Sequence, residues 1–263
     1  MEIPPSKQAT SGFTLVELSI VLVILGLLVG GVLSGQSLIR AAELRSVSSE
    51  YQRYYAAIQS FRDKYFALPG DMSNATQFWG AVHPTPATCQ TTASTGIPTC
   101  DGNGDGRVAD VNNEMFRFWQ HLANAGLVEG QYNGVAGTAH PLNHVLGTNA
   151  PRARMSNAGW GFSFAGNTAG DVATYALDYG HVFWFGSPSI HRPQSDILKP
   201  EEAWNVDTKV DDGRPATGSV IARSDRPWLH PTNCTTSTSF SDYAGLYSLS
   251  STTMGCALMF RQQ

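Results

Sequence analysis

The sequence predicts an α+β chain: one long N-terminal helix, apolar in its first half and amphipathic in its second, packed on an antiparallel β-sheet head. Three observations carry this. Residues 13–33, FTLVELSIVLVILGLLVGGVL, form an apolar run interrupted by one ionisable group, Glu17. Residues 44–65 space apolar side chains at alternating three- and four-residue steps. Short alternating or β-rich segments then gather in the last part of the chain.

The apolar run is long enough to cross a bilayer as a helix, which takes roughly 20 residues. Gly30, Gly31 and Gly35 mark its end as the place where the helix can bend or melt, since each costs about 1 kcal/mol of helix propensity relative to Ala. Beyond them, Leu44, Val47, Tyr51, Tyr54, Ile58, Phe61 and Tyr65 form one stripe on the helix. The stripe is rich in aromatics rather than Leu and Ile, which favours packing on the chain's own sheet over a coiled-coil seam. Leu68-Pro69-Gly70-Asp71 ends the helix. Residues 81–111 read as a Thr/Pro/Gly loop. Residues 113–125 read as a helix with Asn113 at its start and Gly126 after its end, burying Met115, Phe118, Trp119 and Leu122. Strands are expected at 159–165, 171–177, 181–186, 218–223, 243–249 and 255–260, with a long polar connection over 187–217.

Composition narrows the function classes. Charged residues are 14% of the 263, against roughly 25% in an ordinary soluble domain. Seventeen basic and 21 acidic residues leave a net charge of −4, so there is no basic excess for neutralising phosphates and no nucleic-acid partner is expected. An apolar content of 42% is enough to build a core, which argues against disorder. The four cysteines, Cys89, Cys100, Cys234 and Cys256, contain no C-x-x-C pair. Of the three possible pairings, Cys89–Cys100 with Cys234–Cys256 closes two short loops, each typically worth ~3 kcal/mol.

Gly12-Phe13-Thr14-Leu15-Val16-Glu17-Leu18 resembles the cleavage and methylation motif of type IV prepilins and type II secretion pseudopilins. The resemblance implies a pilin-like fold and a division into a leader (1–12), a hydrophobic transmembrane and assembly helix (13–35), an amphipathic stalk helix (36–66) and a globular head (67–263). It implies that prepilin peptidase cuts between Gly12 and Phe13 and methylates the new amino group. It also implies partners: identical or related pilin subunits and an inner-membrane assembly platform. The subunit would sit in the bacterial inner membrane before assembly, then in a periplasmic or cell-surface filament. A type II secretion pseudopilin and a minor or tip pilin acting as an adhesin are the alternatives within the same resemblance. Segments 68–80 and 116–130 are similar to parts of other large pilin-like proteins. A carboxylate within a membrane helix costs roughly 2.5–3.5 kcal/mol and calls for a partner. The α-amino group of a neighbouring subunit's Phe13 would serve Glu17.

Two acidic loops are candidate calcium sites. Asp101, Asn103 and Asp105 follow D-x-N-x-D-G spacing, and Arg107 would offer its backbone carbonyl, as in the first half of an EF-hand loop. The twelfth position is Asn112 rather than Glu, and Asp110 or Glu114 would have to supply the missing carboxylate. Asp207, Asp211 and Asp212 crowd three carboxylates into six residues, which repel unless a cation or Lys209 and Arg214 neutralise them.

Enzymatic patterns are weak, so no enzyme is expected. His140 and His144 are four apart, but Pro141 spoils a metal-binding helix and no H-E-x-x-H stands in the chain. The six tryptophans are scattered and read as core packing rather than a sugar-stacking platform.

Overall fold

The computed structural model describes residues 14–109, 111–166, 174–223, 233–237 and 239–262. The chain divides into two compact units, 1–42 and 43–263. Helix α1 (Leu15–Tyr65) runs unbroken through its glycines. It starts on a reciprocal cap. The Glu17 carboxylate accepts from the Thr14 amide and hydroxyl, both at 2.8 Å, and the Glu17 amide donates back to Thr14 Oγ1 at 3.3 Å. In the first unit the apolar side chains from Leu15 to Ile39 stand exposed. In the second, Val47, Tyr54, Ile58 and Phe61 are buried, with Leu44, Tyr51 and Tyr65 packed at the edge of the same core. The expected stripe is therefore the buried one.

Four strands form one antiparallel sheet: β1 (Gly159–Phe164), β2 (His181–Gly186), β3 (Val220–Arg223) and β4 (Ala257–Arg261), in the order β1-β2-β4-β3. The last strand of the chain is thus inserted between β2 and β3, with Phe183 opposite Phe260 and Val220 opposite Phe260. The period-2 alternation sorts the side chains onto two faces. Trp160, Phe162, Phe183, Phe185 and Phe260 join the α1 core. Val182, Trp184, Ile221 and Met259 face a smaller cluster made with Tyr175, Tyr179 and Ala216. Both faces are covered, which is why HVFWFG and ALMF are almost continuously apolar.

Two expected strands are not seen among the described residues. Residues 171–173 lie outside the described residues, and 174–177 are not strand. Residues 243–249 contribute one isolated bridge, Thr235 with Tyr247. The polar connection 187–217 contains helix α5 (Pro200–Val210), opened by Pro200 and by Glu202 accepting from the Lys199 amide at 3.0 Å. Short helix α2 (Ala75–Trp79) follows the end of α1, and α3 (Pro86–Thr91) lies in the 81–111 stretch expected as loop.

Helix α4 (Glu114–Asn124) sits where a helix was expected but is buried all round from Glu114 to Leu122, not on one face. Its polar side holds the first disulfide loop. Arg117 Nη2 donates to the Cys89 and Thr92 carbonyls, and Gln120 Nε2 to that of Pro98. His121 Nδ1 accepts from the Gly70 amide at 3.0 Å, so Nε2 carries the proton towards Thr99 Oγ1, which in turn donates to Gln120 Oε1. Burial pulls the His121 pKa down to about 3, so the ring stays neutral and the chain of donors is complete. Gly70, at φ 85°, lets the chain pass so close to α4 that a Cβ would strike the Glu114 carbonyl. Both expected disulfides are formed, Cys89–Cys100 and Cys234–Cys256.

One buried carboxylate pins α1 to the sheet. Glu50 accepts from Trp160 Nε1 at 2.8 Å and from the Arg154 amide at 2.9 Å. Truncating it orphans two donors, each costing about 1–3 kcal/mol when buried. Glu50→Ala should lower the unfolding free energy by about 3 kcal/mol in denaturant titration of the head. Glu50→Gln, which keeps one acceptor, should lose less. Equal stability in all three would break the assignment.

Candidate functional site

The loop after the first disulfide wraps around carboxylates that arrive from outside it. Asp71, from the turn after α1, accepts from the amides of Gly104 at 2.7 Å, Asp105 at 3.1 Å and Gly106 at 2.9 Å. Glu114, at the first turn of α4, accepts from Asn103 at 3.0 Å and Ala109 at 3.2 Å. Five backbone amides therefore converge on two buried acids, and the glycines at 104 and 106 take positive φ to aim them.

Carboxylate oxygens of Asp71, Asp105 and Glu114 all lie within 4.8 Å of one another. Among the described residues, Asp105 and the substitute acid Glu114 are the members of this group named from the sequence. Asp101 points elsewhere: its carboxylate takes the Thr76 amide at 2.7 Å and the Thr76 hydroxyl at 3.0 Å, tying down the start of α2. Asn103 turns onto Asp105, donating from Nδ2 at 3.2 Å and accepting its amide at 2.9 Å. The Arg107 guanidinium lies over the Phe164 ring, 4.7 Å from its centroid. Asp110 lies outside the described residues. Asn113, expected at the helix start, makes no side-chain cap; it bonds Gln90 and Ala136 instead.

Asp71 carried no sequence signal as a ligand, because it stands 30 residues before the motif, in a turn that reads only as a helix stop. Glu114 carried a weak one, as a nearby substitute for the missing twelfth-position acid.

The second acidic group is also assembled: Asp207, Asp211 and Asp212 place oxygens within 4.8 Å of one another. Buried Asp207, on α5, accepts from the Tyr247 hydroxyl at 2.7 Å and the Gly213 amide at 3.1 Å. Asp211 accepts from the amides of Ser219 and Val220, and Asp212 from the Arg214 amide and the Thr217 hydroxyl. Tyr247 lies between Cys234 and Cys256, so this group joins α5 to the second disulfide loop. Lys209 makes no ion pair with it among the described residues, and Arg214 contributes its backbone amide.

The histidine pair is structural. His144 is buried against Phe116, with Nδ1 on the carbonyls of Leu142 and His191. His140 stacks edge-on against His191, centroids 4.1 Å apart.

Gly12 and Phe13 lie outside the described residues; Glu17 occupies the helix cap given above. Residues 7–33 match the family model of the prokaryotic N-terminal methylation motif. No curated protein and no solved structure matches the chain. The motif and the long exposed apolar helix together fit a type IV pilin- or pseudopilin-like precursor with a membrane-anchoring segment.

Burial governs the ionisation of both acidic groups. It pushes the Glu114 carboxyl up to about 7, against the pull of the Asn103 and Ala109 amides and with help from the charges of Asp71 and Asp105. Asp71 is raised too, again chiefly by burial. Asp207 reaches about 7 by burial first, with Asp212 and Asp211 adding and the Tyr247 bond opposing. Ordinary values are 4.5 for Glu and 3.8 for Asp. An acid whose folded value is raised stabilises the fold below its ordinary value, and that contribution is lost as pH rises through the folded one. In metal-free buffer the melting temperature should therefore fall between about pH 5 and 8. Glu114→Gln combined with Asp207→Asn should flatten that fall, as read by calorimetry. A wild-type slope surviving in the double variant would assign it to other groups.

Proposed function

We propose that this chain is a non-enzymatic structural subunit of a type IV pilus-like filament, cut by prepilin peptidase between Gly12 and Phe13 and polymerised through its N-terminal helix. One observation carries the reading: from Leu15 to Ile39, α1 exposes leucine, isoleucine and valine on every side. Fully burying each such side chain yields about 1.5–3 kcal/mol, so the segment demands an apolar environment. The inner membrane supplies it before assembly, and neighbouring copies of the same helix supply it in a filament. The assembly platform and related subunits are the partners this implies. The filament would be periplasmic or on the cell surface.

Glu17 would neutralise the amino group of a neighbouring subunit's Phe13. Its bond to Thr14 shapes the test, because alanine would remove the cap along with the charge. Glutamine fits a capping box and carries no charge. Mass spectrometry of the mature protein should find N-methylated Phe13 at the N-terminus, and any other terminus overturns the assignment. Glu17→Gln should keep the protein in the membrane yet reduce its recovery in sheared surface filaments at least tenfold. Normal incorporation would remove the charge pair from the account. Membrane-retained protein that never enters sheared filaments would favour the pseudopilin reading.

We also propose calcium as a stabilising ion, held by Asp71, Asp105 and Glu114. The convergence of their carboxylate oxygens supports it, as does the absence of any lysine or arginine paired with Asp71 or Glu114 among the described residues. Each carboxylate oxygen has two lone pairs, so an amide and a cation can share it. Calcium should raise the melting temperature most above about pH 7, where the acids are ionised, and Glu114→Gln should abolish the rise. A melting temperature indifferent to calcium at about pH 8 would leave the amides as the loop's entire support.

A further inference from the structure

Where α1 ends, Phe66 combines two unfavourable features. Its side chain is 92% exposed. Its backbone is left-handed, at φ 55°, the position after a helix that glycine usually fills. The Phe66 amide still closes the helix by donating to the Arg62 carbonyl at 2.8 Å, a closure that glycine would make without strain. Packing does not explain the ring, since nothing among the described residues covers it. Such an outlier in an exposed position points towards function.

Phe66 borders an open groove of about 840 Å³, within the size range of small-ligand sites. Gln59, Arg62 and Asp63 from the last turns of α1, Leu68 from the following turn, and Ser73 line it with Phe66. The side chains of Gln59, Arg62, Asp63 and Ser73 make no hydrogen bond or ion pair with any other described residue. Arg62 and Asp63 are neighbours of opposite charge that leave each other unpaired. The groove thus offers a free guanidinium, a free carboxylate, a free amide and a hydroxyl around one exposed aromatic face.

We propose that this groove binds a neutral saccharide. A guanidinium only donates and a carboxylate only accepts, so a ligand meeting both needs groups that do both, as sugar hydroxyls do. An anionic ligand would face Asp63 and Asp71, and an organic cation would face Arg62; the calcium proposed above shares Asp71 with the groove wall, beside Gly104 and Gly106 of the acidic loop. An extended peptide would need a strand edge to pair with, but the walls are a helix end and two turns. The apolar C–H face of a sugar ring matches the exposed face of Phe66, an aromatic large enough to anchor a ligand. The proposal does not rest on filament assembly.

The test uses the full chain in a detergent without a sugar headgroup, probed with short neutral oligosaccharides of glucose, galactose, mannose and N-acetylglucosamine. Wild type should bind at least one of them, with an affinity unchanged by added salt. Phe66→Gly should weaken that binding at least tenfold while raising the melting temperature by a few degrees, because glycine relieves the left-handed backbone. Asp63→Ala should also weaken it at least tenfold, with the fold unchanged. The proposal is overturned if no neutral oligosaccharide binds, if binding survives Phe66→Gly, or if only sulfated or sialylated sugars bind. It is likewise overturned if Phe66→Gly abolishes self-association of the chain instead of sugar binding.

Discussion

The ring of Tyr54 is the contact on which the head depends. Its centroid lies 5.0 Å from Trp119 of α4, 5.7 Å from Trp160 of β1 and 6.2 Å from Phe183 of β2. One side chain of the long helix therefore touches helix α4 and two strands at once. Tyr51, one turn earlier, stacks on Phe260 of β4 at 4.7 Å, and its hydroxyl donates to the Arg261 carbonyl. The helix is the surface against which the sheet is assembled. β4 comes last in the chain yet lies between β2 and β3, so the sheet is completed only when the C-terminus returns. A preformed aromatic stripe gives that late strand a fixed place to dock.

Charge is used sparingly, and a few acids are placed inside. Glu50, Asp71, Glu114 and Asp207 are all buried. Each accepts hydrogen bonds that fix a loop to a helix. Among the described residues, the cation paired with any of these four is Arg154, 3.9 Å from Glu50 and itself exposed. Backbone amides do what a guanidinium does elsewhere. Amides cancel part of the desolvation cost but leave the charge, which is why Glu114 and Asp207 are held near 7 rather than depressed. These few buried acids sit at the joints of the head.

The parts of this structure legible in the sequence are those governed by period. The three–four stripe from Leu44 to Tyr65 and the β-rich run HVFWFG each answer to one local geometry, and both appear as expected. The disulfides followed from loop length. What was not legible depends on contacts distant in sequence. Residues 243–249 alternate like a strand, but the two disulfide-bounded ends and the Tyr247 bond to Asp207 hold them as a loop. Helix α5 hides in a polar stretch because its buried positions are few: Pro200, Ala203, Val206 and Asp207. The acidic loop showed its glycines and its Asp105, whereas Asp71 joins through a turn whose only visible message was to stop a helix. Asp101 has the spacing of a ligand and the geometry of a strut to Thr76, and spacing cannot separate those two.

Helix α1 meets two different solvents along one continuous hydrogen-bonded helix, and this sets the order of events for the molecule. Residues 43–65 find their apolar cover in their own chain, so the head has a complete core by itself. The residues from Leu15 to Ile39 find none there. Among the described residues, the apolar side chains on both faces of the head's sheet are already covered within the head, which leaves the cover of that segment to its surroundings. An intrachain cap at Thr14 and Glu17 keeps the first turn formed in the meantime, satisfying amides that would otherwise be orphaned in a membrane. Glu17 can therefore reside in an apolar environment as a bonded group, and its carboxylate keeps acceptor sites to spare after Thr14 is served.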